Sequence, residues 1–174
     1  QPGFACAEKG EQDWTYLMGW TNGSRPLRFP EGTHYELPAN SQIVLRVFYT
    51  IRNSDDSVSD TSGFGYTLQT DENTVPVTRR LLEVTGFTIP GNSEDYRVQE
   101  TITWEHDSAL ITSVQPRMFW KGDTYNLSKV SASGEEECMV DYHRWDYGTL
   151  FPIVYREPLL IEPGDQIQVS CNYN

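Results

Sequence analysis

The chain has 174 residues, 25 acidic against 13 basic side chains, a formal net charge of −12, 37% apolar residues and three cysteines. A chain of this length buries roughly two-thirds of its surface on folding, so disulfides are optional for stability, and no apolar run is long enough to cross a bilayer as a helix, so no membrane span is expected. A sequence pI near 4.5 with scattered basic residues excludes a phosphate-tracking groove, which needs clustered Lys and Arg to release counterions, and nucleic acid is set aside as a partner.

In chain order, an aromatic opening stretch (Trp14, Tyr16, Trp20) leads to the turn Pro38-Ala39-Asn40 and a first expected strand, Gln42–Ile51. The loop from Asn53 to Asp60 is polar and acidic. It reads mainly as a solvated excursion; Asp55, Asp56 and Asp60 would be its calcium ligands, but it lacks the Gly and distal Glu of an EF-hand loop. A strand at Gly63–Gln69 follows, and Thr70–Val77 is the best candidate for a domain junction. Beyond it the expected strands are Arg79–Thr88, Arg97–Trp104, Ala109–Trp120, Tyr125–Ser131, Glu137–Trp145, Ile153–Ile161 and Gln166–Asn172. Pro90-Gly91-Asn92 and Pro163-Gly164-Asp165 supply turn chemistry between them. Short β-branched and aromatic runs, closely spaced turns and no sustained helical period give an all-β fold, an antiparallel β-sandwich or jelly roll.

The residues that carry chemistry are dispersed. His34, His106 and His143 form no HxH or HExxH pair, there is no GxSxG elbow, and Glu135-Glu136-Glu137 reads as a solvated turn. No catalytic residue, metal ligand set or cofactor site stands out. Most aromatics at alternating strand positions belong to a core, while an exposed fraction would form a recognition patch; Trp120 and Trp145 are candidates for stacking on sugar in a lectin-like or adhesive sandwich. Asn22 and Asn126 begin Asn-x-Ser sequons and are candidate glycosylation sites, compatible with secretion. No charged-then-apolar leader stands before Gln1, so a secretory signal is expected to be either already removed or never present; an N-terminal Gln suits a cleaved, mature extracellular chain and equally an arbitrary boundary. Cys6, Cys138 and Cys171 are candidate disulfide cysteines, and in an oxidising compartment their odd number leaves one free or paired with another chain.

Several segments, taken in order, resemble the copper type II, ascorbate-dependent monooxygenases, the family of peptidylglycine α-hydroxylating monooxygenase and dopamine β-monooxygenase. They are Tyr16-Leu17-Met18-Gly19-Trp20, Phe29-Pro30-Glu31-Gly32, Ile43-Val44-Leu45-Arg46-Val47-Phe48-Tyr49, Phe87-Thr88-Ile89-Pro90-Gly91, Pro116-Arg117-Met118-Phe119-Trp120-Lys121-Gly122, and the stretch from Pro158 to Tyr173. The resemblance implies two tandem jelly-roll sandwiches or parts of them, residues 1–74 like the latter part of the first and residues 75–174 like the earlier part of the second. It also implies copper ligands at three places that here hold Phe48, Arg117 and Phe119. Phe has no lone pair to give and a guanidinium is a permanently charged donor, so these positions cannot ligate copper.

The reading that follows is a secreted, non-catalytic relative with no cofactor, acting as a binding or structural subunit beside another protein chain. A disulfide is one way of joining them, because Cys6 and Cys171 resemble cysteines whose partners lie in flanks outside this stretch. The rival readings are a piece of an active copper monooxygenase whose metal ligands come from another chain, and the lectin-like sandwich.

Overall fold

The structure, a computed structural model, describes residues 14–49, 59–71, 73–148 and 150–174 and contains no helix among them. Its strands are β1 (Thr33–Tyr35), β2 (Val75–Val77), β3 (Tyr96–Thr103), β4 (Ala109–Val114), β5 (Gly122–Val130), β6 (Glu136–Tyr142), β7 (Ile153–Ile161) and β8 (Gln166–Tyr173). The chain divides into two compact units, one made of the residues up to Arg28 together with Leu82–Asn174, the other of Phe29–Leu81.

In the larger unit, β8 shows why these residues form a sheet. Its burial alternates without interruption: Ile167, Val169, Cys171 and Tyr173 are buried, and the Gln, Ser and Asn between them are partly exposed. That is the period of two expected of a strand with one covered face. β8 pairs antiparallel with β3 on one side and β5 on the other, and β6 completes the order β3-β8-β5-β6. A separate antiparallel pair joins β4 to β7. The pairing is nested: β5 with β6, β4 with β7 outside them, and β3 with β8 outermost.

Both sheets feed one core. Tyr125, Leu127, Val140, Ile167, Val169 and fully buried Ile161 are at its centre, with Ile111, Ile153 and Leu159 of the two-stranded sheet packed against it. In β6 the alternation slips, because Leu127 faces Val140 while Ser128 faces Cys138. The extra residue, Met139, forms a bulge, and Met139 and Val140 are therefore both buried although adjacent. β7 is also irregular: between Ile111 and Ser113 its register jumps from Leu159 to Val154, around Pro158, which has no N–H for the ladder. Lys129 ties the layers, its Nζ donating to the Leu160 carbonyl at 2.9 Å and lying 2.9 Å from the Glu137 carboxylate. Gly122 admits no side chain, since a Cβ there would lie 2.9 Å from Cδ1 of the buried Trp145 ring. Trp145 Nε1 is buried without a hydrogen-bond partner, a cost of about 1–3 kcal/mol that its ring packing offsets.

The turns obey their residues. Asn40, Asn92 and Gly164 all have positive φ (64°, 60° and 93°), at the third position of turns closed by Ser41 N donating to Pro38 O, Ser93 N to Pro90 O and Asp165 N to Glu162 O. Such turns demand a left-handed residue there, which Gly and Asn adopt most readily.

Three expected strands are corrected. The described residues of Gln42–Ile51, and all of Gly63–Gln69 and Arg79–Thr88, contain no strand. β-propensity expresses packing against neighbouring strands more than a backbone preference; the first two runs leave their large side chains in solvent, Phe48 79% exposed, Tyr66 65% and Leu68 70%, while the third packs Val84 and Phe87 on the core without a ladder partner among the described residues. The smaller unit instead has β1 and β2, a three-residue parallel ladder. The stretch Thr70–Val77 lies within that unit and carries β2.

Asp165 holds the end of the larger unit together. Its carboxylate accepts from Ala132 N at 3.2 Å and Glu162 N at 3.0 Å, while its carbonyl accepts from Trp104 N at 2.7 Å. The side chain is buried, so Asp165→Ala leaves two backbone donors unpaired. The expected loss is about 1–3 kcal/mol, read as a fall in Tm of roughly 2–4 °C per kcal/mol with the strand signal in circular dichroism retained at low temperature.

Candidate functional site

The connection from β4 to β5 cannot continue as a ladder, because Pro116 has no N–H to donate. The backbone stays extended in character, and its side chains alternate: Pro116 and Met118 are buried, Arg117 and Phe119 exposed. Gln115 anchors the start of this connection. Its Oε1 accepts from the Tyr16 hydroxyl at 3.1 Å and its Nε2 donates to the Leu150 carbonyl at 3.0 Å. Leu150 N in turn donates to Thr21 Oγ1 at 3.3 Å. Three segments distant in sequence thereby meet beside an open cleft of about 600 Å³.

One side of the cleft is Val84, Phe87 and Ile89, another is Tyr147 and Leu150, Tyr173 enters from the end of β8, and the β4–β5 connection contributes Arg117, Met118, Phe119 and Lys121. Phe119 and Tyr147 lie 6.2 Å apart between ring centroids, and Phe87 and Tyr173 5.6 Å apart. Phe119 is 69% exposed and Tyr147 50%. The two charged lining residues, Arg117 and Lys121, are both cations, and no described lining residue is acidic, although acids outnumber bases 25 to 13 in the chain. Each cation also rests on an aromatic face: the Arg117 guanidinium is 5.5 Å from the Tyr16 ring centroid and the Lys121 ammonium 4.7 Å from that of Trp120. Burial, with Cys171 beside it, pushes the Tyr173 phenol up to about 12, so it meets the cleft as a neutral hydroxyl.

No family model, no curated protein and no solved structure matches this chain. The site is therefore read from its own residues.

Of the positions that the family resemblance singles out, Arg117 and Phe119 come together in the cleft. Phe48 belongs to the smaller unit, where the Arg46 guanidinium lies 4.6 Å from its ring centroid. Among the described residues no group of three or more His, Cys, Asp and Glu gathers in metal-binding geometry. Each histidine has local company: His34 Nδ1 is 2.9 Å from Thr74 Oγ1, His106 meets the Trp104 ring edge-on at 5.0 Å, and His143 is 3.4 Å from Asp141. In the Glu135–Glu137 run, Glu135 and Glu136 are exposed, and Glu137 sits opposite Lys129 in the ladder.

Cys138 is exposed on edge strand β6 and Cys171 is buried; Cys6 lies outside the described residues, as do Asp55 and Asp56. Asp60, the remaining residue of the proposed calcium loop, accepts instead from the Tyr49 hydroxyl at 2.5 Å and from the Ser62 hydroxyl. Asn22 is exposed in a turn, and Asn126 is half-buried in mid-β5. The proposal that Trp145 stacks on sugar is overturned by its burial against Tyr125 and Tyr142, with centroids 6.1 and 5.6 Å away. Trp120 is exposed, 63% of its surface accessible. Sequence reasoning missed Val84, Phe87, Tyr147 and Leu150 as cleft residues; the local signal for Phe87 was an expected strand, and nothing in the sequence joins it to Tyr147.

The buried and half-buried titratable groups of the core give a pH prediction. Burial pushes the Cys171 thiol up to about 11 and the Tyr155 phenol up to about 12, and it raises Tyr125 as well. Each group holds its proton more tightly folded than unfolded, so the unfolded state binds fewer protons and stability falls as pH rises. The contribution is intact below about pH 9, the start of ordinary thiol ionisation, and is lost toward pH 12. Thermal melts across that window should show a steadily falling Tm, together with a part of the tyrosinate absorbance, that of the buried phenols, appearing late and cooperatively with unfolding.

Proposed function

We propose that this chain is a non-catalytic binding or structural subunit of a larger extracellular assembly, related to the copper monooxygenase fold but without its chemistry. The observation that carries the proposal is the smaller unit's unpaired, strand-coded surface. Val44, Leu45, Val47, Phe48 and Tyr49, then Phe64, Tyr66 and Leu68, are all at least two-fifths exposed. Soluble monomers rarely leave so much apolar side chain uncovered in neighbouring runs, and β-rich segments without a ladder partner are templates for pairing with another chain. A companion chain would supply both the missing hydrogen bonds and the cover.

Two further observations support the relation. The nested pairing of β3 to β8 is the order a jelly roll requires. The positions resembling the paired copper histidines present Arg117 and Phe119 to one cleft, so the alternation that would aim two ligands together is kept while the ligands are not. A covalent link to the companion would use Cys138, the exposed thiol, in preference to buried Cys171. The extracellular setting belongs to the same proposal and is supported by the sequon at Asn22 in an exposed turn.

Native mass measurement of material from its natural source, with electrophoresis under reducing and non-reducing conditions, tests this. The expected result is an assembly heavier than the 20.0 kDa chain. A 20.0 kDa species under native conditions overturns the subunit proposal, and stoichiometric copper retained after mild dialysis overturns the non-catalytic one.

A further inference from the structure

We infer that the cleft beside the β4–β5 connection binds a small aromatic carboxylate, its ring held among Phe87, Phe119 and Tyr147 and its anionic group met by Arg117 and Lys121. The inference concerns the larger unit alone and does not depend on whether a companion chain covers the smaller one.

Three features of the cleft point to that ligand. Its volume of about 600 Å³ falls within the range of clefts that take small molecules, roughly 300–1,000 Å³, and the cleft is open on one side. Its lining is chiefly apolar and aromatic, with Phe119 and Tyr147 tilted at 42° and 6.2 Å apart, and aromatic ligands are favoured where rings can offer tilted or edge contacts. Its charge is opposite to that of the chain: two cations and no described acid line it, in a protein of net charge −12.

A general acidic surface repels anions, so this local inversion makes the cleft a place where an anion gains by entering. Arg117 also suits a carboxylate in particular, because the guanidinium fork matches two carboxylate oxygens at once. The contacts to Tyr16 and Trp120 hold both cations over ring faces instead of beside carboxylates, which leaves their donors for a ligand. The anchoring of the connection through buried Pro116 and Met118 and through Gln115 keeps the exposed side chains in place without their help. Arg117, Phe119 and Lys121 can therefore be changed with the fold intact.

The test is titration of the full chain with naphthalene-2-carboxylate, followed by calorimetry and by tryptophan fluorescence, with the neutral alcohol naphthalene-2-methanol and the fatty acid octanoate as comparators. The carboxylate should bind saturably with one site, more tightly than the alcohol and octanoate, and more weakly as salt rises. The double substitution Arg117→Gln and Lys121→Gln should weaken the carboxylate roughly tenfold to a hundredfold, the loss of a charge-assisted contact, and abolish its advantage over the alcohol. Phe119→Ala should weaken carboxylate and alcohol alike. Unchanged melting temperatures show that the variants fold. Absence of saturable binding, equal binding of carboxylate and alcohol, stronger binding of octanoate, or indifference to the double substitution would each overturn the inference.

Discussion

Strand β8 is the element on which the larger unit depends. It is a central strand bonded along both edges, to β3 over its whole length and to β5 over nearly all of it. Two ladders fix its register, and a slip of one residue would turn Ile167, Val169, Cys171 and Tyr173 out to solvent together. Because that alternating face is the floor of the core, the other strands are placed by reference to it. β4 and β7 pack over it from the second sheet, with Ile161 sealed completely. Asp165, at the mouth of the turn entering β8, ties the β5–β6 connection through Ala132 and the end of β3 through Trp104, so the ends of three strands are located by one residue.

The cleft is a by-product of that arrangement. β4 stops because Pro116 cannot donate, and β5 can begin only where Gly122 passes the Trp145 ring. The residues between must span the gap outside a ladder, held by Met118 below and Gln115 at the start. A segment so anchored can expose Arg117, Phe119 and Lys121 at little cost, since their side chains contribute no core packing. In an otherwise acidic protein this puts cations and exposed rings at one place, and the combination of rigidity, apolar lining and opposite charge is what distinguishes the place chemically.

The smaller unit shows the reverse situation. Its sequence is as rich in β-branched and aromatic residues as that of β8, yet its described residues carry only the short β1–β2 ladder. Strand propensity is realised through neighbours, and where none is available the apolar side chains stay in solvent. A surface of that kind is stabilised by association, which is why we propose different partners for the two units, a protein chain for the smaller and a small ligand for the larger.

The chain alone determined the all-β class, the six strands from β3 to β8 to within a few residues, apart from the early end of β4 at Val114, and the turns at Asn40, Asn92 and Gly164. Each of these rests on local physics: an alternation of two, or a residue tolerant of positive φ. The Arg117-x-Phe119 pair was also legible as a position of interest, through resemblance to a metal-binding pattern whose ligands are replaced. The tertiary structure alone decided that Gln42–Tyr49, Gly63–Gln69 and Arg79–Thr88 are not strands, that Trp145 is core while Trp120 is surface, and that Phe87, Phe119 and Tyr147 share one cleft. These depend on which segments become neighbours across long separations. Propensity and spacing carry no information about that, because the same alternating run is a strand beside a partner and an exposed apolar stretch without one.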